Sequence, residues 1–265
     1  MKRDIPTTVT EARAQFSGHL RGLSDPPDVP VAVATVAVLL WTLLYRGVAP
    51  AVEAASDPGG LEAMGTHGGL AGLLGYLLVW GLVTSTATYP ALVPFLGRYL
   101  GTVRGPAVQK WRVAAALLGA YSLVWTATGV VPLAVDATVD LGALADRHGA
   151  FVVGTTAILA GLYQLTPAKR AALEPCSWAV LRRDPSVSEA ARRGVERARS
   201  SVRCTWPLFA LLVAAGSLNP VWLLAVTAVV TLERFAPRRD EVAATVGAVA
   251  VLGGAALVTA GVAGV

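Results

Sequence analysis

Few side chains in this 265-residue chain can do chemistry beyond hydrogen bonding. Two are the cysteines Cys176 and Cys204; two more are Met64 and His67, in the Gly-rich stretch LEAMGTHGG. Two cysteines are too few for a disulfide framework. Thiolate, thioether and imidazole are, however, the donors that soft transition-metal ions select, and Cu(I) takes about two to four sulfurs. Met64 and His67 make the weaker soft-ligand pair, on a loop expected outside the membrane. The three histidines offer little for acid–base work, and there is no Gly-rich phosphate loop, His-Glu-x-x-His motif or Ser/His/Asp set. No catalytic residues are assigned, and an independent enzyme is not expected.

The elements that must position these groups follow from composition. The chain is 54% apolar and 15% charged, against about 25% charged residues in soluble domains. Long charge-free stretches point to an integral membrane protein. The net charge of +5 is then a topology signal and not a nucleic-acid footprint.

Apolar runs fall at 30–48, 70–96, 112–134, 149–166, 204–218, 220–235 and 243–262. A bilayer core needs about 20 helical residues. The fifth and sixth runs are short and meet at Ser217-Leu218-Asn219-Pro220, as one kinked helix or a hairpin. Charge selects between these. Segment 49–69 holds Glu53, Asp57 and Glu62 with no Lys or Arg, and 135–148 is mainly acidic. Segments 97–112, 167–203 and 234–242 are basic, with nine Lys and Arg in 167–203. The positive-inside rule makes the basic loops cytoplasmic, and the last is cytoplasmic only if 204–235 crosses twice. The expected fold is all-α, a membrane bundle of about seven spans with the N-terminus cytoplasmic. Residues 1–29 form a cytoplasmic tail and 30–265 a single transmembrane domain with a basic cytoplasmic loop at 167–203. No cleavable leader is evident in 1–29, so the first span serves as its own insertion signal.

Two polar segments have helical periodicity and are expected to lie against the cytoplasmic surface. In 7–24, Val9, Ala12, Phe16, Leu20 and Leu23 share a face. In 186–203, Ser186 and Glu189 form a capping box. There Val187, Ala190, Ala191, Val195, Ala198 and Val202 make the stripe, and arginines 192, 193, 197, 199 and 203 face water or phosphates. This helix is expected to continue into the fifth span. Charges within spans are nearly absent: Arg46, Asp136, His148, Glu233 and Arg234 fall near span ends, where snorkelling or water suffices. The patch TSTATYP at 84–90, followed by Pro94, suits packing through small residues or a cavity at a proline kink.

Four stretches, taken together, resemble a family described as predicted metal-binding integral membrane proteins (domain of unknown function 2182). WGLVTSTATYP keeps the family's Trp80 and Pro90, with Val83, Ala87 and Thr88 at its methionine positions. GAYSLVW keeps Tyr121 and Trp125. GLYQLTPAKRAALEPC keeps Gly161, Tyr163, Gln164, Leu165, Thr166, Pro167 and Lys169; of two cysteines expected four apart, the first is Ala172 and the second is Cys176. SVRCTWPLFALLVAAGSLNPVW, ending in LER, keeps Cys204, Trp206, Gly216, Asn219 and Glu233. Ser201, Arg203, Thr205 and Leu218 depart from it. The resemblance covers about residues 60–262 and is most specific at YQLTPxK.

The resemblance implies transition-metal handling, with a copper ion as the implied cofactor and a reduced ligand set. Both cysteine clusters fall on the cytoplasmic side of the expected topology, so Cys176 and Cys204 could form a two-coordinate thiolate pair, with Arg203 beside it favouring thiolate. The implied protein is a multi-pass cell-membrane protein in the lipid bilayer, an accessory non-catalytic subunit beside other membrane proteins, with no nucleic acid partner. The alternatives are a small neutral-solute transporter through the second span and a purely structural scaffold.

Overall fold

The computed structural model describes residues 56–177 and 184–263, with the isolated helical positions 31, 35, 38 and 42. The described residues are mostly helical, joined by turns and short irregular links, with no strand among them. Among the described residues from 56 on, nine helices follow one another: α1 Gly60–His67, α2 Gly69–Leu100, α3 Ala107–Thr128, α4 Val130–Val139, α5 Leu141–Gln164, α6 Pro167–Ser177, α7 Val187–Ala215, α8 Pro220–Phe235 and α9 Arg239–Ala263. Among the described residues three stretches are long and apolar enough to cross a membrane: α2, α3 with α4, and α9. The bent pair α5 and α6 makes a fourth if it is one span. The expected first span and the amphipathic segment 7–24 lie outside the described residues, apart from those four positions.

Charge-free runs of Ala, Leu, Val and Gly satisfy their backbone internally as helices, and polar caps set the ends. Ser186 accepts from the Glu189 amide while the Glu189 carboxylate accepts from the Ser186 amide, the expected capping box. Asn219 caps α8 by accepting from the amides of Val221 and Trp222, with Pro220 at the first helical position. The Thr166-Pro167 pair interrupts the chain, and α6 leaves α5 at 66°.

Residues 204–235 fold back on themselves. The turn runs through Gly216, whose φ of 105° suits glycine; a side chain there would collide with the Ser56 carbonyl. The return is fixed by Lys169, whose ammonium touches both the Cys204 carbonyl and the Glu233 carboxylate. The hairpin expectation matches this arrangement.

The bundle has two chemically different ends. At one, Ser217 donates to Glu62, Ser56 to the Leu218 carbonyl, and Thr66 to Asp136, which also accepts from the Leu141 amide. At the other, Asp184 bonds the Thr102 carbonyl and the Arg104 amide, and Arg234 donates to Ser201. The chain passes between the acidic and the basic end through α2, through α3 with α4, through α5, the second half of α7, α8 and α9. Helices α5 and α9 pack through glycine: a methyl at Gly154 or Gly161 would lie 2.7 or 2.6 Å from the carbonyl of Gly254 or Gly247. Such close backbone approach is a membrane packing device.

Two expectations are corrected here, and the alternatives for TSTATYP are narrowed. The basic helix starting at residue 187 continues unbroken into the following apolar run, as expected, but it does not lie on a surface. It packs along α3, with Gly194 against the Leu117 carbonyl. Arg197 is not exposed: it is 8% accessible and its guanidinium lies 4.2 Å over the Phe95 ring. Helix α2 is one helix through Pro90 and Pro94, and the TSTATYP patch is filled. Thr84 and Thr88 donate to the carbonyls of Trp80 and Thr84, and Ser85 and Tyr89 meet Ser122 of α3.

Candidate functional site: a buried polar cluster beside Cys204

Four helices meet at the basic end around Lys169. The Thr166 hydroxyl accepts from the Lys169 amide at 3.2 Å and so starts α6. Pro167 fixes the first turn, and that turn carries Lys169 inward. Its Nζ donates to Glu233 Oε2 at 2.7 Å and to the Cys204 carbonyl at 2.8 Å. Gln164, at the end of α5, donates through Nε2 to Glu233 Oε1 at 2.6 Å. Lys169 is 0% and Glu233 1% exposed. The pair therefore sits in a low dielectric where each charge depends on the other.

This corrects the sequence reading twice. Lys169 is not a solvated residue of the basic loop 167–203, and Glu233 is not relieved by water at a span end. Tyr163 donates to the Arg203 carbonyl at 2.7 Å and meets Trp206 edge-on, with ring centroids 5.6 Å apart.

Cys204 is buried at 1% exposure, between Leu173 of α6 and Ala243 of α9. Its thiol donates to the Ala172 carbonyl at 2.8 Å. The position where the resemblance expects another cysteine thus lies against Cys204. Arg203, expected to support a thiolate, is exposed on another face of α7. Cys176 falls within α6, one helical turn after Ala172; its side chain lies outside the described residues.

The other nominated residues lie elsewhere. Trp80 donates to the Thr128 hydroxyl and stacks on Tyr76. Tyr121 donates to Ser201, and Trp125 packs on Phe209 at 4.7 Å. These contacts fix α2, α3 and α7 together; Pro90 lies within α2. Asn219 is the cap of α8, at the acidic end. Met64 and His67 are also at that end, on α1. Met64 is 39% exposed, and His67 Nδ1 is 3.0 Å from the Thr66 hydroxyl. They are far from Cys204 along the bundle. Among the described residues no group of three or more His, Cys, Asp or Glu could hold a metal ion.

A family model described as "PpoB2: Copper chaperone" matches residues 77–257. The chain belongs to this copper chaperone family. The match starts within α2 and ends within α9, so it takes in the whole Gln164–Lys169–Glu233 cluster and Cys204. No curated protein and no solved structure matches the chain.

The structure adds residues that the sequence reading left aside. Glu62, on α1, is fully buried; Oε1 accepts from Ser217 at 2.6 Å, while Oε2 has no hydrogen-bond partner. Burial pushes its carboxyl up from the ordinary 4.5; the Ser217 bond opposes this and nearby Asp136 adds to it. A glutamate two residues from a methionine in a Gly-rich segment carries no periodic signal. Only the return of the chain at Ser217 reveals its burial.

Proposed function

We propose that this protein is a multi-pass membrane protein that handles Cu(I) as cargo, with the thiols of Cys176 and Cys204 as its ligands. The observation that carries this reading is the copper chaperone match over residues 77–257. The donor chemistry fits it in kind. A two-coordinate thiolate pair is a known preference of Cu(I), and the backbone of α6 puts residue 176 one turn from the residue against Cys204. With so few sulfurs, the site suits carriage and transfer more than permanent storage. The protein acts as a non-catalytic accessory to a membrane process that uses the metal.

The membrane reading draws on the apolar helices and on the charge difference between the ends. The basic end faces the cytoplasm under the positive-inside rule, so the cysteines would lie inside, and the N-terminus too if 30–48 is a span. Met64 and His67, at the acidic end, would then face outward.

The test is Cu(I) loading of the detergent-purified protein under reducing, anaerobic conditions, followed by gel filtration and metal analysis. Retention of copper by the wild type and its loss from Cys176→Ser and Cys204→Ser supports the reading. Retention unchanged by either substitution rules out this ligand pair.

A further inference from the structure

The copper reading says nothing about Lys169 and Glu233, although they form the most buried ion pair described in the chain. A buried pair seldom gains stability over apolar residues of equal volume, and its best-attested use is to specify one arrangement. Here the arrangement is identifiable. Helix α6 meets α5 at a 66° bend and is short, so its register against α7 needs a fixed point. Lys169 supplies one by bridging the Glu233 carboxylate of α8 and the Cys204 carbonyl of α7. The bond is to the backbone of the cysteine itself. Three and four residues further along α6, Ala172 and Leu173 meet Cys204. Residue 176 is next in the same helical register, seven positions after Lys169.

We propose that Lys169 and Glu233 are positioning residues, holding α6 in the one register that presents Cys176 to Cys204. Gln164 orients the carboxylate by occupying its other oxygen. The inference rests on the copper reading for its purpose, but its geometry is testable without metal.

The experiment uses the full chain in detergent, reduced and metal-free, with dibromobimane, which becomes fluorescent on bridging two nearby thiols. Wild type is expected to give the bridged product, and Cys176→Ser and Cys204→Ser none. The double variant Lys169→Met with Glu233→Leu leaves no uncompensated charge. Once its helicity and elution match wild type, its bridging yield is expected to fall about fivefold or more, because yield follows the fraction of molecules in the competent arrangement. A folded double variant that bridges at the wild-type yield overturns the proposal, as does a wild type that does not bridge.

Should the double variant fail to fold, Glu233→Asp carries the test. It keeps both charges but shortens the arm by one methylene. A yield about twofold or more below wild type supports positioning, and an unchanged yield overturns it. If bridging behaves as expected while wild type retains no copper, the positioning role stands and the copper reading fails.

Discussion

Lys169 and Glu233 lie 64 positions apart in the chain and 2.7 Å apart in space, both shielded from solvent. Between them the chain leaves α6, runs along α7, turns at Gly216 and returns through α8. Closing that loop on one charge pair fixes where Cys204 sits. Removing one partner leaves the other charge buried and alone. Lys169→Met and Glu233→Gln are each expected to destabilise the protein by about 3–5 kcal/mol, and the double apolar replacement by far less. Thermal unfolding of the purified protein, followed by circular dichroism, checks this. A loss in the double variant equal to the sum of the two single losses would show that the charges are not coupled.

The seam between α5 and α9 should be intolerant of any side chain. A methyl at Gly161 meets the Gly247 carbonyl, a Val251 methyl and the Val251 amide nitrogen, all within 2.9 Å. Backbone cannot yield as a flexible side chain can, so Gly161→Ala is expected to cost about 1–3 kcal/mol. Gly119→Ala, with nothing within 4 Å, serves as the control. Melting temperatures of the two variants should differ clearly, and equal values would mean that the helices are not this close.

Glu62 makes stability depend on pH. Its folded carboxyl is raised above the ordinary 4.5, so the folded state holds the proton more tightly than the unfolded chain. Its contribution is therefore complete below that value and is lost as pH rises through the folded pKa. Glu62→Gln keeps an acceptor for Ser217 and removes the titration. Wild type should lose melting temperature from acidic to neutral pH relative to the variant. Parallel curves would refute a buried, raised carboxyl.

The charge difference between the two ends predicts orientation. Reporters fused at Pro237, between α8 and α9, should be active only as cytoplasmic reporters, and those at Asp140, between α4 and α5, only as external ones. The opposite pattern would invert the bundle and place the cysteines outside.

Much of the fold was legible because helices in a charge-poor chain follow apolar runs and their breakers. The ends of α5 at Thr166-Pro167, the capping box at Ser186 and the cap at Asn219 are local signals, and each acts in the structure as its residue type suggests. The candidate site was half legible. The resemblance named Gln164, Lys169 and Glu233 separately, yet charge arithmetic assigned Lys169 and Glu233 to solvent, because a charge near a span end has water available. Their pairing depends on the α7–α8 hairpin returning to the level of Cys204, a long-range fact without periodicity. Arg197 was misplaced for a similar reason: the Phe95 ring that receives it belongs to a different helix.

The central claim is that the two cysteines carry copper, and the affinity for Cu(I) tests it most directly. Purified protein should be titrated anaerobically against a colorimetric Cu(I) chelator, with wild type, Cys176→Ser, Cys204→Ser and the double serine variant side by side. The account predicts that wild type withdraws copper from the chelator and that each single serine variant abolishes most of the competition. Equal competition by wild type and the double variant, or none by wild type, would contradict it.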